Sequence, residues 1–141
     1  AKSGRPSLTA HPTGNFGKAM YGGRHRELQY TEPNPMRNIY NHLYDDPPEG
    51  FQISLEATHH SPTEFNVPMF FVEVGSREQQ WRDIEVCEYL VNCILTGIGE
   101  TESNPIAIGF GGGHYCPKFS TKMDEYAMGH KPDGLSNHRP G

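Results

Sequence analysis

The sequence offers no disulfide framework: Cys87, Cys93 and Cys116 are odd in number and show no CxxC spacing, which also excludes a zinc finger. That usage points to a reducing, intracellular compartment, and a cytoplasmic location is expected. No apolar run approaches the length of a membrane span, and no signal-peptide pattern opens the sequence, so no membrane partner is expected. No internal repeat is present. Glycine and proline together make 28 of 141 residues, short of the share found in low-complexity chains. With its aromatic content, this length supports one packed core in a single domain. There is no P-loop, because no Gly-Lys-Ser/Thr follows the glycine run, and no dinucleotide fingerprint, because His114 stands where the last glycine belongs.

What is present is concentrated in two places. The first is Ser54 to Glu64. Phe51, Ile53 and Leu55 alternate with Gln52, Ser54 and Glu56, the period-2 pattern of a half-buried strand. The strand runs into Thr58, His59, His60 and Ser61, so polar groups gather where it ends. In open α/β sheets that edge is where ligands bind. A carboxylate, a hydroxyl and two imidazoles can bind a metal or move a proton. A hydrogen-bonded polar strand end with solvated imidazoles would look the same in the sequence. The second place is Pro105 to Phe110, a short apolar strand pattern leading into Gly111-Gly112-Gly113-His114-Tyr115. Three successive glycines permit positive φ and leave N–H groups free to converge on an anion or a developing oxyanion.

The rest of the chain supplies a frame. Asn34 can cap a helix with Pro35 at its first position and Met36, Ile39, Tyr40 and Leu43 as its apolar stripe, stopped by Pro47-Pro48. Ser76 with Gln79 reads as a capping box opening a longer helix, whose Trp81, Ile84, Cys87, Val91, Ile94 and Leu95 are expected in the core. A short third helix is expected from Ser120 or Thr121, burying Met123 and Tyr126. Strands are expected at Ser7 to Ala10, Phe51 to Glu56, Met69 to Val74 and Pro105 to Phe110. The alternation gives an α/β layered fold with a mainly parallel sheet flanked by helices. In that layout His11, His59, His60, Glu73 and His114 lie at or just after strand ends and converge.

These motifs carry a resemblance. SLEATHHSPTE at Ser54–Glu64, FVEVGS at Phe71–Ser76 with Trp81-Arg82-Asp83, and IGFGGGHYCPKF at Ile108–Phe119 resemble the archaeal and plant type of D-aminoacyl-tRNA deacylase. Leu8 to Asn15, Gly22-Gly23-Arg24 and Arg26-Glu27-Leu28 are similar to the stretch preceding them, so the likeness runs in order from about Leu8 to His130. Family members are longer at both ends, which makes this chain look like an internal segment. A single domain over 1–130 and a flexible tail over 131–141 are expected. Cys116 stands where an alanine is usual.

The resemblance implies a phosphorylase/hydrolase-like α/β fold and a zinc-dependent hydrolase. Its substrate would be a tRNA 3′ end carrying a D-aminoacyl group, and its products free tRNA and D-amino acid, a proofreading reaction expected of a monomer. Zinc takes three or four N, S or O ligands, and a catalytic zinc leaves a position for water. Glu56, His59 and His114 are the expected ligands, with Glu73 as alternate or supporting carboxylate. His60 or the metal would activate water, Thr58 would position the water or the leaving hydroxyl, and the amides of Gly111, Gly112 and Gly113 would hold the oxyanion. His11, Pro12, Asn15 and Phe65 would form the wall that rejects an L side chain. His25, His42 and His138 read as surface residues, and His130 falls past the last well-matched segment.

The net charge of −5 hides an asymmetry: residues 1–30 carry +4 and the remainder −9. An acidic body does not suit wrapping a long nucleic acid, but it allows local grip on a tRNA tip. Arg24 and Arg26 are the candidates for phosphate contact, and Lys118 for a terminal phosphate. A general metal-dependent peptidase or amidohydrolase would use the same chemistry without a basic entry surface. A non-catalytic tRNA-end-binding fragment is the other alternative, and this segment by itself is expected to show weak activity or none.

Overall fold

A computed structural model describes residues 4–132. β1 (Ser7–His11) lies in the centre of a three-stranded sheet, with β2 (Gln52–Leu55) parallel on one side and β3 (Phe71–Gly75) antiparallel on the other. A second small sheet pairs β4 (Ile106–Ala107) with β5 (Ala127–Met128) in parallel. Two of the three described strand pairings are therefore parallel, and helices α1 (Pro33–Asp45) and α3 (Ile84–Ile98) flank the larger sheet. The mixed α/β character matches the reading of the sequence.

Alternation along β1 decides what each face does. Leu8 and Ala10 point into the apolar layer, Leu8 with Ile39, Leu43, Val86 and Cys93, and Ala10 with Met36, Tyr40 and Leu55. Each large side chain buried there contributes about 1.5–3 kcal/mol. Ser7, Thr9 and His11 then face the other way, because successive side chains alternate. The register carries the same split to the neighbours. Val72 and Val74 pair with Ala10 and Leu8, whereas Phe71 and Glu73 pair with His11 and Thr9. Along β2, Leu55 pairs with Ala10, and the next residue, Glu56, turns to the polar face.

Several boundaries differ from expectation. α1 begins earlier, with Glu32 at the cap and Pro33 in its first turn. Asn34 is used elsewhere: its amide exchanges hydrogen bonds with the Asn104 backbone at 2.7 and 3.3 Å. The single long helix after Ser76 is two. A one-turn α2 (Glu78–Trp81) stops before Asp83, whose carboxylate accepts from Glu85 and Val86 N–H and starts α3 afresh. An internal capping residue outcompetes helix continuation.

α3 also faces differently. Val86, Cys93 and Gly97 are its buried side, because only glycine lets the helix approach α1 so closely; a Cβ at Gly97 would lie 2.6 Å from the Ile39 backbone. Trp81, Ile84, Val91 and Leu95, expected in the core, are exposed, Ile84 to 72%. Its apolar residues cover more than one face, so spacing did not select which would be buried. β4 is two residues long instead of six, and Ile106, Ile108 and Phe110 are exposed. The third helix is a single turn, α4 (Pro117–Ser120), preceding Ser120 rather than following it, with Met123 buried and Tyr126 on the surface. Among the described residues no helix is long and apolar enough to cross a membrane.

Candidate active site

Residues 56–60 form the spine of the site. Beyond β2 the chain continues beside the first loop: Glu56 N–H donates to Ala10 O at 3.0 Å, Thr13 bridges His59, and Gly14 N–H donates to His60 O at 3.0 Å. On its other side Ala57 N–H donates to His114 O and Thr58 N–H to Lys131 O. Three distant segments are thereby fixed around one pentapeptide. His60 sits at φ 50°, a left-handed conformation uncommon for a non-glycine residue and a pointer to function.

Six side chains converge there. His11 stacks on His59 with ring centroids 4.3 Å apart; His59 lies 4.4 Å from His60 and 4.6 Å from His114. Glu56 is fully buried and its Oε2 accepts from His114 Nε2 at 2.8 Å, with His59 Nε2 3.7 Å away. Glu73 Oε1 lies 3.3 Å from His11 Nε2 and 3.9 Å from His60 Nε2. Glu73 was expected at the end of a parallel strand. It is central in antiparallel β3, and it reaches His11 as a diagonal cross-strand neighbour through the Thr9–Glu73 pair.

The hydrogen bonds define the imidazoles. His11, His59 and His60 each direct Nδ1 at a backbone carbonyl, those of Pro12, Ala57 and Ser61, at 3.0, 2.6 and 2.6 Å. A carbonyl only accepts, so Nδ1 of each carries the proton. His59 and His60 keep a lone pair on Nε2, whereas His11 Nε2 bonds a second acceptor, the Glu73 carboxylate, at 3.3 Å. Those lone pairs face carboxylates. Burial first, and the closeness of His11 second, push the His59 pKa down to about 4, and burial lowers that of His60. Burial works to raise the Glu56 pKa, but its bond from His114, the neighbouring Thr9 hydroxyl and the nearby His11 outweigh it and hold the carboxyl at about 2. The His11 bond likewise lowers Glu73. Bare nitrogens and anionic oxygens face each other, an arrangement that a cation would complete. One atom marks the place: Glu56 Oε1 is buried without a hydrogen-bond partner.

Three overlapping sets of donor atoms lie within 4.8 Å of one another: Glu56, His59 and His114; His11, His59 and His60; His11, Glu56 and Glu73. N and O donors of this kind suit zinc. A cleft of about 710 Å³ between α1, β2 and α4 is lined by Tyr40, Tyr44, Tyr115 and Asp124 and holds none of the six clustered histidines and glutamates.

The remaining candidates take other places. Asn15 is buried and its amide binds the carbonyls of Gly22 and Arg24. Arg24 pairs with Glu64 at 2.8 Å and with Glu27 at 3.7 Å, while Arg26 is exposed in the same loop. Phe65 is exposed, with its backbone clasped by the Gln29 side chain. Lys118 is exposed on α4. Gly111 and Gly112 adopt φ +88° and +87°, whereas Gly113 has no such requirement, and a Cβ on any of the three would meet open space. His42, read as a surface residue, pairs with Glu100; His138 lies outside the described residues.

Reading the sequence missed His130. Its Nε2 bonds Gln29 O at 3.0 Å and its Nδ1 bonds the Thr58 hydroxyl at 3.2 Å, which also accepts from Lys131 N–H. The Thr58 hydroxyl is thus engaged in joining two segments. No local pattern could have announced a contact across 72 residues. Lys131, assigned to a flexible tail, is fully buried, and Nζ donates to Gly129 O at 2.8 Å. Residues 133–141 lie outside the described residues.

Burial pushes the Lys131 pKa down from 10.5 to about 8. Below pH 8 the lysine is charged folded and unfolded, and the folded state bears the whole cost of burying that charge. Between 8 and 10.5 the folded state loses its proton first, so stability rises with pH. Lys131→Met should therefore stabilise the protein by roughly 3 kcal/mol at pH 7, with the gain shrinking as pH approaches 10.5. Denaturant unfolding of both proteins at the two pH values measures it; an equal difference at both would contradict the buried charge.

Fold and cluster together define an α/β protein with a histidine–carboxylate centre on the polar face of its sheet. The D-aminoacyl-tRNA deacylase family matches residues 1–137, and the chain belongs to it. It is 43% identical over 133 residues to the D-aminoacyl-tRNA deacylase of Methanocorpusculum labreanum, covering 94% of this chain and 28% of that protein. The Pyrococcus horikoshii deacylase is 38% identical, with coverage of 92% and 50%. A crystal structure of a conserved protein of unknown function superposes with a TM-score of 0.90 at 33% identity, over 94% of this chain and 49% of that one. The chain thus spans about half or less of these relatives.

Proposed function

We propose that this chain carries the hydrolytic centre that frees a tRNA 3′ end from a D-amino acid, in the cytoplasm and as a monomer. Family membership supports the substrate class. The observation that carries the chemistry is the unpartnered Glu56 Oε1 amid bare imidazole nitrogens. Glu56, His59 and His114 would hold zinc, with His11, His60 and Glu73 completing the overlapping donor sets. Zinc bound there would polarise the ester carbonyl and lower the pKa of a water.

The protein's own groups account for the rest. His60, half-buried and with Nε2 bare, accepts the proton of the attacking water, and Glu73 beside it stabilises the resulting imidazolium. Backbone N–H groups of Gly111–Gly113 meet the oxyanion, at about 3 kcal/mol per donor. The buried His11 and the Pro12 backbone that fixes its ring form a rigid wall, which excludes an L side chain by contact when the carbonyl is in place.

Matched D- and L-tyrosyl-tRNA, presented to the intact protein with and without chelator, test this reading. Hydrolysis of the D-ester alone, abolished by chelation, is expected. Equal cleavage of both esters, or cleavage of simple peptides, would point instead to a general metallo-hydrolase.

A further inference from the structure

The stretch from Phe16 to Arg26 holds three cations, Lys18, Arg24 and Arg26, and no acid, in a chain of net charge −5. It is fastened beside the histidine cluster. Ser61 N–H donates to Tyr21 O at 3.3 Å, and Arg24 N–H donates to Thr63 Oγ1 at 2.9 Å. Gly22 and Gly23, at φ +84° and +80°, lie so close that a Cβ would stand 2.9 Å from Ser61 Oγ and 2.6 Å from Thr63 Cγ2. The buried Asn15 amide ties the carbonyls on either side of Gly23. The backbone is thus set in place, yet the Tyr21 side chain is 77% exposed. An aromatic ring held out on a fixed loop, on the residue whose carbonyl bonds the neighbour of His60, has a low ordering cost for a flat ligand.

Resting on the function proposed above, we infer that Tyr21 is the platform on which the terminal base of a single-stranded RNA 3′ end stacks, delivering the ribose ester to the cluster. Stacking on an aromatic face tolerates any base, which suits a common 3′ end. Lys18 and Arg26 form no ion pair among the described residues and supply counter-charge to the adjacent phosphates. Arg24, held by Glu27 and Glu64, braces the loop.

A double-mutant cycle tests the contact. The intact protein and its Tyr21→Ala and Tyr21→Trp variants are titrated with non-acylated RNA hairpins that end in a single-stranded CCA, with the terminal base present or replaced by an abasic ribose. Wild type should lose roughly tenfold in affinity when the base is removed, and Tyr21→Ala should lose about the same for the intact RNA. The two losses should not compound, and Tyr21→Trp should retain full affinity. Losses that multiply, an unaffected Tyr21→Ala variant, or no RNA binding by wild type would overturn the inference. Hydrolysis of D-tyrosyl-tRNA is read separately. D-specific cleavage with a null cycle removes the stacking platform alone, while absence of cleavage with an intact cycle removes the deacylase reading and leaves the RNA-end contact.

Discussion

Glu56→Gln should weaken zinc affinity by roughly a hundredfold or more and remove turnover with it. Glu56 is the hub of the site, because both its oxygens are committed to the interior. Oε2 accepts from His114, and Oε1 has no protein partner. Glutamine preserves the shape and can still accept from His114, so the fold should survive. It loses the negative charge and one ligating oxygen. A divalent ion would then face imidazoles without a buried anion to offset its desolvation. Elemental analysis and competition with a chelator measure the effect directly. His42→Ala, at a histidine paired with Glu100 away from the cluster, should bind the proposed zinc as the unaltered protein does. Full occupancy in Glu56→Gln would refute the assignment of ligands.

Gly112→Ala should lower turnover by about 100-fold while Gly113→Ala leaves it nearly unchanged. The difference rests on backbone geometry. Gly112 is at φ +87° and Gly113 needs no positive φ. Neither Cβ would touch anything, so the effect is conformational rather than steric. An alanine at Gly112 costs roughly 1–2 kcal/mol in strain, and the chain relieves it by rotating the peptide planes whose N–H groups would meet the oxyanion. Stability should fall slightly and rate strongly. Steady-state kinetics on D-aminoacyl-tRNA alongside thermal unfolding separate the two. Unaltered turnover in Gly112→Ala would reduce the glycine run to a turn.

How much of this was legible beforehand depends on the range of the physics involved. The alternation in Phe51–Glu56 specified one strand and put Glu56 opposite the apolar Leu55, and a second strand was legible at Ser7 to Ala10, with His11 at its end. Met36, Ile39, Tyr40 and Leu43 specified the buried face of α1 at the 3.6-residue period. Both are local patterns that burial enforces within one element. The histidines and carboxylates were also visible as residue types, because His59-His60 and the glycine run before His114 are contiguous in the chain.

Other features needed partners that the chain reaches only when folded. α3 is apolar on more than one face, and Gly97 seated against Ile39 selected which was buried. Glu73 entered the site through the antiparallel register of β3, a pairing that period-2 alternation leaves open. His130 joined it through Thr58, and Lys131 was buried by the same segment. The sequence determined which groups are available and which strands and helix face would carry them, because propensity and periodicity act over a few residues. Only the tertiary structure decided which imidazole nitrogens are bare and which oxygen of Glu56 lacks a partner, because those are set by atoms brought together from across the chain.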